Sequence, residues 1–376
     1  MNFAKLDEFM SGMVGRGYPS SELAIAKDGK IVYRTSVGYS DAAKTRPAGN
    51  QDLYWMFSCS KVITCIAGLR LLEEGKISLD DPVSKYLPEF ANITVKQADG
   101  TVAPAKNTMT VLHLFTMTSG LTYDVTTPAI AKAISDPQGT TRSIVSAMAE
   151  DPLAFEPGTH YCYSLSHDVL GAVIEVASGM SLGEYMTKYI FEPLGLKSIG
   201  LHRTEDLIPR FADMYLGNSG TYVSTQMHCN NEYIFTPQYD SGGAGLYSTV
   251  DDYVSILSVI ANGGTTSDGY SILRPETIAL AEKNLLDDVA LVDFCKGRFY
   301  GYGWGLCGRV HNNPDVSFSL SPVGEFGWDS AANAFSLVDT KNRVAVMLAA
   351  HVRGYEYGYH CVHPTLRNII YECLEL

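Results

Sequence analysis

The chain has 376 residues, 46% hydrophobic and 18% charged, a composition that fits a folded globular protein with a large core and room for two or three domains. A formal net charge of −13 argues against nucleic acid or an anionic membrane surface as a partner. The start, Met1-Asn2-Phe3-Ala4-Lys5-Leu6, has no basic stretch leading into an apolar one, and no apolar run is long enough to span a bilayer, so a cytoplasmic protein is expected.

Phe3, Leu6, Phe9, Met10 and Met13 predict a short amphipathic helix. Residues 22–27 and 30–37 read as strands, joined by Asp28-Gly29, the signal of a type I′ hairpin turn. Phe57-Ser58-Cys59-Ser60-Lys61 comes next, followed by Val62, Cys65, Ile66, Leu69 and Leu72 at helical spacing up to Gly75. Ser58 and Lys61 are three apart, so they share a helix face. A serine hydroxyl is a weak nucleophile until a base takes its proton, and a lysine serves as that base when burial or nearby positive charge lowers its pKa. A serine at a helix N-terminus also offers a free backbone N–H to a developing oxyanion. Taken alone, the pair reads more readily as an N-capping serine followed by a solvated lysine.

Residues 85–235 read as mainly helical or irregular, with helices over 112–117, 143–149, 168–177 and 182–190. Before the third of these stands Tyr163-Ser164-Leu165-Ser166-His167-Asp168. A phenol beside a lysine ammonium ionises more easily and can act as acid or base; otherwise Tyr163 is a loop aromatic and Asp168 a helix cap. A glycine-rich approach, Gly242 to Thr249, leads into a helix over 250–261. Phe326-Gly327-Trp328-Asp329-Ser330-Ala331-Ala332 precedes a hairpin of 333–338 and 343–350, and a helix over 366–374 ends the chain. A strand edge of this kind supplies a backbone oxyanion donor, or is simply an edge strand with Trp328 in the core. Strands at both ends imply one α/β domain from 1–84 and 236–376, with a mostly helical domain of 85–235 inserted and Ser58 near their boundary.

The eight cysteines are scattered and read as free thiols. Cys59 has no acid–base partner arranged for it, and His360-Cys361-Val362-His363 lacks a second cluster at zinc spacing. No metal or other cofactor is expected.

The three stretches, in this order, resemble the three motifs of the serine β-lactamase-like superfamily, which includes class C β-lactamases, penicillin-binding peptidases and family VIII carboxylesterases. Ser58 and Lys61 match S-x-x-K, Tyr163 matches the tyrosine motif, and Trp328-Asp329-Ser330 stands where K-T-G or its relatives belong. Leu79-Asp80-Asp81-Pro82-Val83, Thr116-Met117-Thr118-Ser119-Gly120-Leu121 and Pro157-Gly158-Thr159 match as well. The resemblance implies an α+β fold, an antiparallel sheet flanked by helices with a helical domain beside it. It implies a serine hydrolase in which Ser58 attacks an acyl carbonyl, Lys61 and Tyr163 share the proton work, and the N–H groups of Ser58 and Ala331 form the oxyanion hole. Leu165 stands in place of the asparagine that would hold a substrate amide, and Trp328 and Ser330 replace the lysine and glycine of K-T-G. With Leu165, Trp328, Asp329 and Ser330 as the substrate-binding positions, a small-molecule ester is the expected substrate. Asp329 would repel an anion if it faced the cleft, and Arg353 could replace the missing lysine. Tyr161, Tyr239, Tyr247, Tyr300 and Tyr302 are candidates for a cleft wall or for core packing. A β-lactamase or D-amino-acid peptidase, an acyltransferase to an alcohol or amine, and a non-catalytic ligand-binding relative stay open, as does the oligomeric state.

Overall fold

The computed structural model describes residues 1–376. Its elements, in chain order, begin with helix α1 (Ala4–Ser11) and strands β1 (Ser20–Lys27) and β2 (Lys30–Gly38). Helices α2 (Ser60–Glu73), α3 (Thr141–Met148) and α4 (Ser166–Ser178) follow, then strands β3 (Met214–Asn218) and β4 (Val223–Met227) and helix α5 (Val250–Ala261). The last third holds β5 (Tyr302–Gly305), β6 (Gly308–His311), β7 (Phe326–Gly327), β8 (Phe335–Asp339), β9 (Val344–Ala349), β10 (Val352–Arg353) and helix α6 (His363–Leu374).

Seven strands form one antiparallel sheet in the order β5-β6-β7-β8-β9-β1-β2. The N-terminal hairpin turns where the sequence predicts, with Asp28 and Gly29 both at positive φ (52° and 76°), as a type I′ turn requires. Strand β1 pairs with β9 in the register Leu23↔Leu348 and Ile25↔Val346. Side chains alternate across a strand, so Leu23, Ile25, Val346 and Leu348 pack under α1 and α6 on one face. Ala24, Ala26, Ala345 and Met347 turn to the other face, where α2, α4 and α5 build the larger core. Small residues on that face let helix α5 lie close against β1 and β9.

Several details differ from the sequence reading. The first helix stops at Ser11, and Asp168 lies inside α4, buried, and not at its cap. Strand β8 starts at Phe335 because Asn333, at φ 66°, closes a turn back onto Ser330. The hairpin β3–β4 lies in the stretch read as helical or irregular, and β10 pairs with its first strand. Edge strand β5 alternates aromatic residues with glycines, and its neighbour β6 (Gly308-Arg309-Val310-His311) has a single apolar residue, so no ordinary strand pattern marks them. No helix is long and apolar enough to cross a membrane.

Candidate active site

Ser58 sits in a short 3-10 turn, Phe57–Cys59, that feeds directly into α2. Phe57 is held at φ +42°, a left-handed conformation that a bulky residue adopts only under constraint from its surroundings. Its ring is fully buried, and the Arg353 guanidinium lies over it, 4.9 Å from the centroid. Helix α2 is apolar almost all round because it is buried, with α4 packed along it, so Lys61, one turn after Ser58, is also enclosed at 1% exposure.

A buried amine needs hydrogen-bond partners. Lys61 Nζ donates to the Gly243 carbonyl (2.7 Å) and the Tyr123 hydroxyl (2.8 Å), and lies 3.4 Å from Ser58 Oγ. The glycine-rich segment is there for this approach. A Cβ on Gly243 would lie 2.4 Å from Asp168 Oδ2, and one on Gly242 would lie 2.4 Å from the His167 carbonyl oxygen. Thr64, on α2, donates to the Gly242 carbonyl at 2.7 Å and fixes the same segment. Asp168 accepts from Tyr239 (2.9 Å), Ser241 (2.8 Å) and the Gly243 N–H (3.3 Å). Burial raises the Asp168 carboxyl above the usual carboxylate range, against the pull of Lys61 and these donors. Burial, then Lys61, pushes His167 down to about 3, so the neighbouring imidazole stays neutral.

Tyr163 faces Lys61 by its ring, with Nζ 4.7 Å from the centroid. Its hydroxyl accepts a hydrogen bond from the Trp328 indole N–H at 3.0 Å. Trp328 therefore orients the tyrosine, and its one donor is already engaged in the protein. The Trp328 carbonyl accepts from Cys59 Sγ (3.4 Å) and Ser336 Oγ (3.0 Å), which ties this segment to the turn that carries Ser58 and to β8. Burial raises the Cys59 thiol far above its ordinary value, as expected for an inert core cysteine.

Ser58 and Ala331 both line the cleft, and neither backbone N–H donates to a group within the protein. Such free donors beside a nucleophile are the requirement for an oxyanion hole. The cleft encloses about 750 Å³, and Tyr123, Tyr161, Tyr233, Phe294, Phe299 and Tyr359 supply much of its wall.

Of the substrate-binding positions read from the sequence, Trp328, Asp329 and Ser330 line the cleft and Leu165 does not. Leu165 is buried and faces a separate, smaller cavity beside Gly120 and Leu153, so it does not reach the cleft. The Ser330 hydroxyl accepts from the Ala332 N–H (3.1 Å) inside its own turn. The Asp329 carboxylate turns inward to Arg309 (3.3 Å), His363 (3.6 Å) and Arg298 (3.3 Å). Burial alone would raise its pKa, but His363, Arg298 and Arg309 outweigh burial and hold it well below the usual range. Arg353 pairs with Glu232 and lies outside the cleft wall, so it does not replace the missing lysine. Of the five candidate wall tyrosines only Tyr161 lines the cleft; Tyr239 serves Asp168, Tyr302 serves Arg367, Tyr247 packs against Trp55, and Tyr300 is exposed. Tyr123 and Arg298 were not singled out by the sequence. Tyr123 directly follows Gly120-Leu121-Thr122, so its place beside a recognised stretch was the available signal.

The Beta-lactamase family model matches residues 6–360. The chain belongs to the beta-lactamase family. Among its relatives, Esterase EstB of Burkholderia gladioli is 30% identical over 375 residues, covering 92% of this chain and 89% of EstB. Acyltransferase calJ of Penicillium decumbens is 29% identical, covering 87% and 82% of the two chains. The solved structure of EstCE1, described as a hydrolase with promiscuous acyltransferase activity, superposes with a TM-score of 0.80 at 23% identity, covering 98% of both chains; it shares the fold. The antiparallel sheet flanked by helices is the β-lactamase/transpeptidase-like arrangement that the motifs implied.

Proposed function

We propose that this beta-lactamase family member is a serine hydrolase that cleaves small carboxylic esters through an acyl-enzyme on Ser58. The observation that carries the reading is the Lys61 amine, enclosed, bonded to Gly243 and Tyr123, and aimed at Ser58 Oγ at the foot of an aromatic cleft. Ser58 Oγ attacks the ester carbonyl and its proton passes to the Lys61–Tyr163 unit. The carbonyl oxygen, now an oxyanion, takes the free N–H groups of Ser58 and Ala331. Collapse expels the alkoxide or phenoxide, which takes a proton from the same unit, and water then attacks the acyl-enzyme by the reverse route. Removing one oxyanion donor in such a site costs about a hundredfold to a thousandfold in rate.

The absence of a lysine at Trp328, whose single N–H is engaged by Tyr163, favours esters over lactams and D-alanyl peptides. Acyl transfer to an alcohol is the second reading. It is favoured by the wall of Phe294, Phe299 and Trp328, which can hold an apolar acceptor where water would otherwise stand. The eight unpaired cysteines fit a reducing compartment, in keeping with cytoplasm. The test is a fluorophosphonate probe with peptide mapping, run beside hydrolysis of p-nitrophenyl butyrate and nitrocefin. Labelling on Ser58, lost in Ser58→Ala, with the ester turned over faster than nitrocefin, is the expected result. Labelling that persists in Ser58→Ala overturns the assignment.

A further inference from the structure

The cleft contains a cation that the hydrolytic reaction itself does not use. Arg298 follows Gly297, which turns the chain at φ +89°, and its guanidinium lies between the rings of Phe299 (4.3 Å from the centroid) and Tyr359 (4.5 Å). Two aromatic faces hold the planar fork in one orientation, so little side-chain freedom is lost when a ligand binds. Its single side-chain hydrogen bond in the protein is one long contact, Nη2 to Asp329 at 3.3 Å.

That carboxylate is already engaged from behind. Arg309 and Arg367 stand against Glu325 and Asp329: Arg309 meets Glu325 at 2.6 Å and Asp329 at 3.3 Å, and Arg367 meets Glu325 at 3.6 Å. Two buried cations thus balance two buried anions, with His363 a further 3.6 Å neighbour of Asp329. Arg298 is the surplus positive charge of this cluster, and it lines the cleft beside Asp329, whose carboxylate is turned inward to Arg309 and His363. The other basic side chains of the wall have their own partners: Lys296 pairs with Asp293, and His360 with Glu356.

We propose that Arg298 is an anion receptor, and that the preferred esters carry a carboxylate several bonds from the scissile carbonyl. The inference names a substrate class for the ester-cleaving site proposed above and rests on that reading. The spacing follows from three rings in successive contact between the reacting end and the receptor. Lys61 lies over Tyr163 (4.7 Å), Tyr163 against Trp328 (5.5 Å), Trp328 against Phe299 (5.4 Å), and Phe299 beneath Arg298 (4.3 Å). A methylene chain or an aromatic ring laid along this wall carries a carboxylate to the guanidinium. The location differs from a lysine in K-T-G, where the charge would sit beside the reacting bond.

The carboxylate can belong to the acyl half or to the leaving group, and two matched ester pairs separate these. The first compares mono-p-nitrophenyl suberate with p-nitrophenyl octanoate; the second compares 4-butyryloxybenzoate with its methyl ester. For each pair the ratio of kcat/KM, anionic over neutral, is measured in the wild type, Arg298→Gln and Arg298→Lys. Arg298 is partly exposed, which places its effect near the low end for a charge-assisted bond, so the ratio for one pair should fall about tenfold in Arg298→Gln and recover in part in Arg298→Lys. Ratios for both pairs that stay within about twofold of wild type in Arg298→Gln overturn the inference. A turnover-free arm titrates monomethyl suberate into Ser58→Ala protein, read by tryptophan fluorescence, with a Kd expected to weaken about tenfold when Arg298→Gln is added. If no ester is hydrolysed, the proposed function fails, while this titration still decides the role of Arg298.

Discussion

Tyr123 is the sharpest place to perturb the proton-handling unit without touching its motif residues. Replacing it by phenylalanine keeps the ring that lines the cleft and removes only the hydroxyl 2.8 Å from Lys61 Nζ. Two acceptors then remain, the Gly243 carbonyl at 2.7 Å and Ser58 Oγ at 3.4 Å. Lys61 is buried, so no bulk water replaces the lost oxygen. A neutral hydrogen bond contributes about 0.5–1.5 kcal/mol net and one to a charged group about 1.5–3 kcal/mol, so the loss lies near 1–2 kcal/mol. At about 1.4 kcal/mol per factor of ten, kcat should drop roughly tenfold, with KM changed much less because the ring stays. Tyr163→Phe removes a proton carrier and should cost more, about a hundredfold or beyond. The assay is steady-state hydrolysis of p-nitrophenyl butyrate, with a urea melt as a check on folding. A Tyr123→Phe enzyme with wild-type kcat would refute the reasoning, since Gly243 alone would then suffice to hold the amine.

Three further outcomes follow from the same geometry. Lys61→Ala and Tyr163→Phe remove parts of one unit, so the double variant should lose little more kcat than the worse single variant; strictly multiplicative losses would separate the two roles. Gly243→Ala places a methyl 2.4 Å from an Asp168 carboxylate that Tyr239 and Ser241 hold in place, so it should lower the unfolding free energy by about 1–3 kcal/mol in urea melts and reduce kcat as the Gly243 carbonyl moves off Lys61. Glu175, which accepts from the Leu182 N–H at 3.3 Å, is pushed by burial up to about 7 from its ordinary value of 4.5. The folded carboxyl keeps its proton where the unfolded one has lost it, so stability falls as pH rises from about 4.5 through about 7. Glu175→Gln should therefore be more stable than wild type by about 1–2 kcal/mol at pH 8 and gain nothing near pH 4.5, read by urea melts across that range.

That Ser58, Lys61 and Tyr163 come together at one cleft was legible because each motif combines a reactive residue with local turn or helix signals. Their order along the chain made the joint reading specific. The hairpin at Asp28-Gly29 was legible because both residues tolerate positive φ. What the sequence hid is where tertiary contacts reassign a side chain. Leu165 and Asp329 occupy motif positions, yet one faces a separate cavity and the other turns its carboxylate into an arginine cluster that only the sheet brings together. Arg309 and Arg367 are 58 residues apart (367 − 309), and no local pattern predicts that both reach Glu325. Tyr123 and Arg298 come from loops outside the three motifs, and only the closed cleft shows that one touches Lys61 and the other flanks the Trp328 stretch.

The pairing of β1 with β9 also bears on how the molecule is made. Glu22 faces Ala349, so 327 residues (349 − 22) must leave the ribosome between one strand and its partner. At about 5–20 residues per second that interval is roughly 15–65 s. Throughout it the N-terminal hairpin presents a bare edge at β1, while the helices between 141 and 261 are already available to collapse on one another. The nascent chain thus carries its most adhesive surface first and covers it nearly last. Slow synthesis should therefore favour aggregation of this protein, and a chaperone that shields extended segments near the N-terminus should raise its yield.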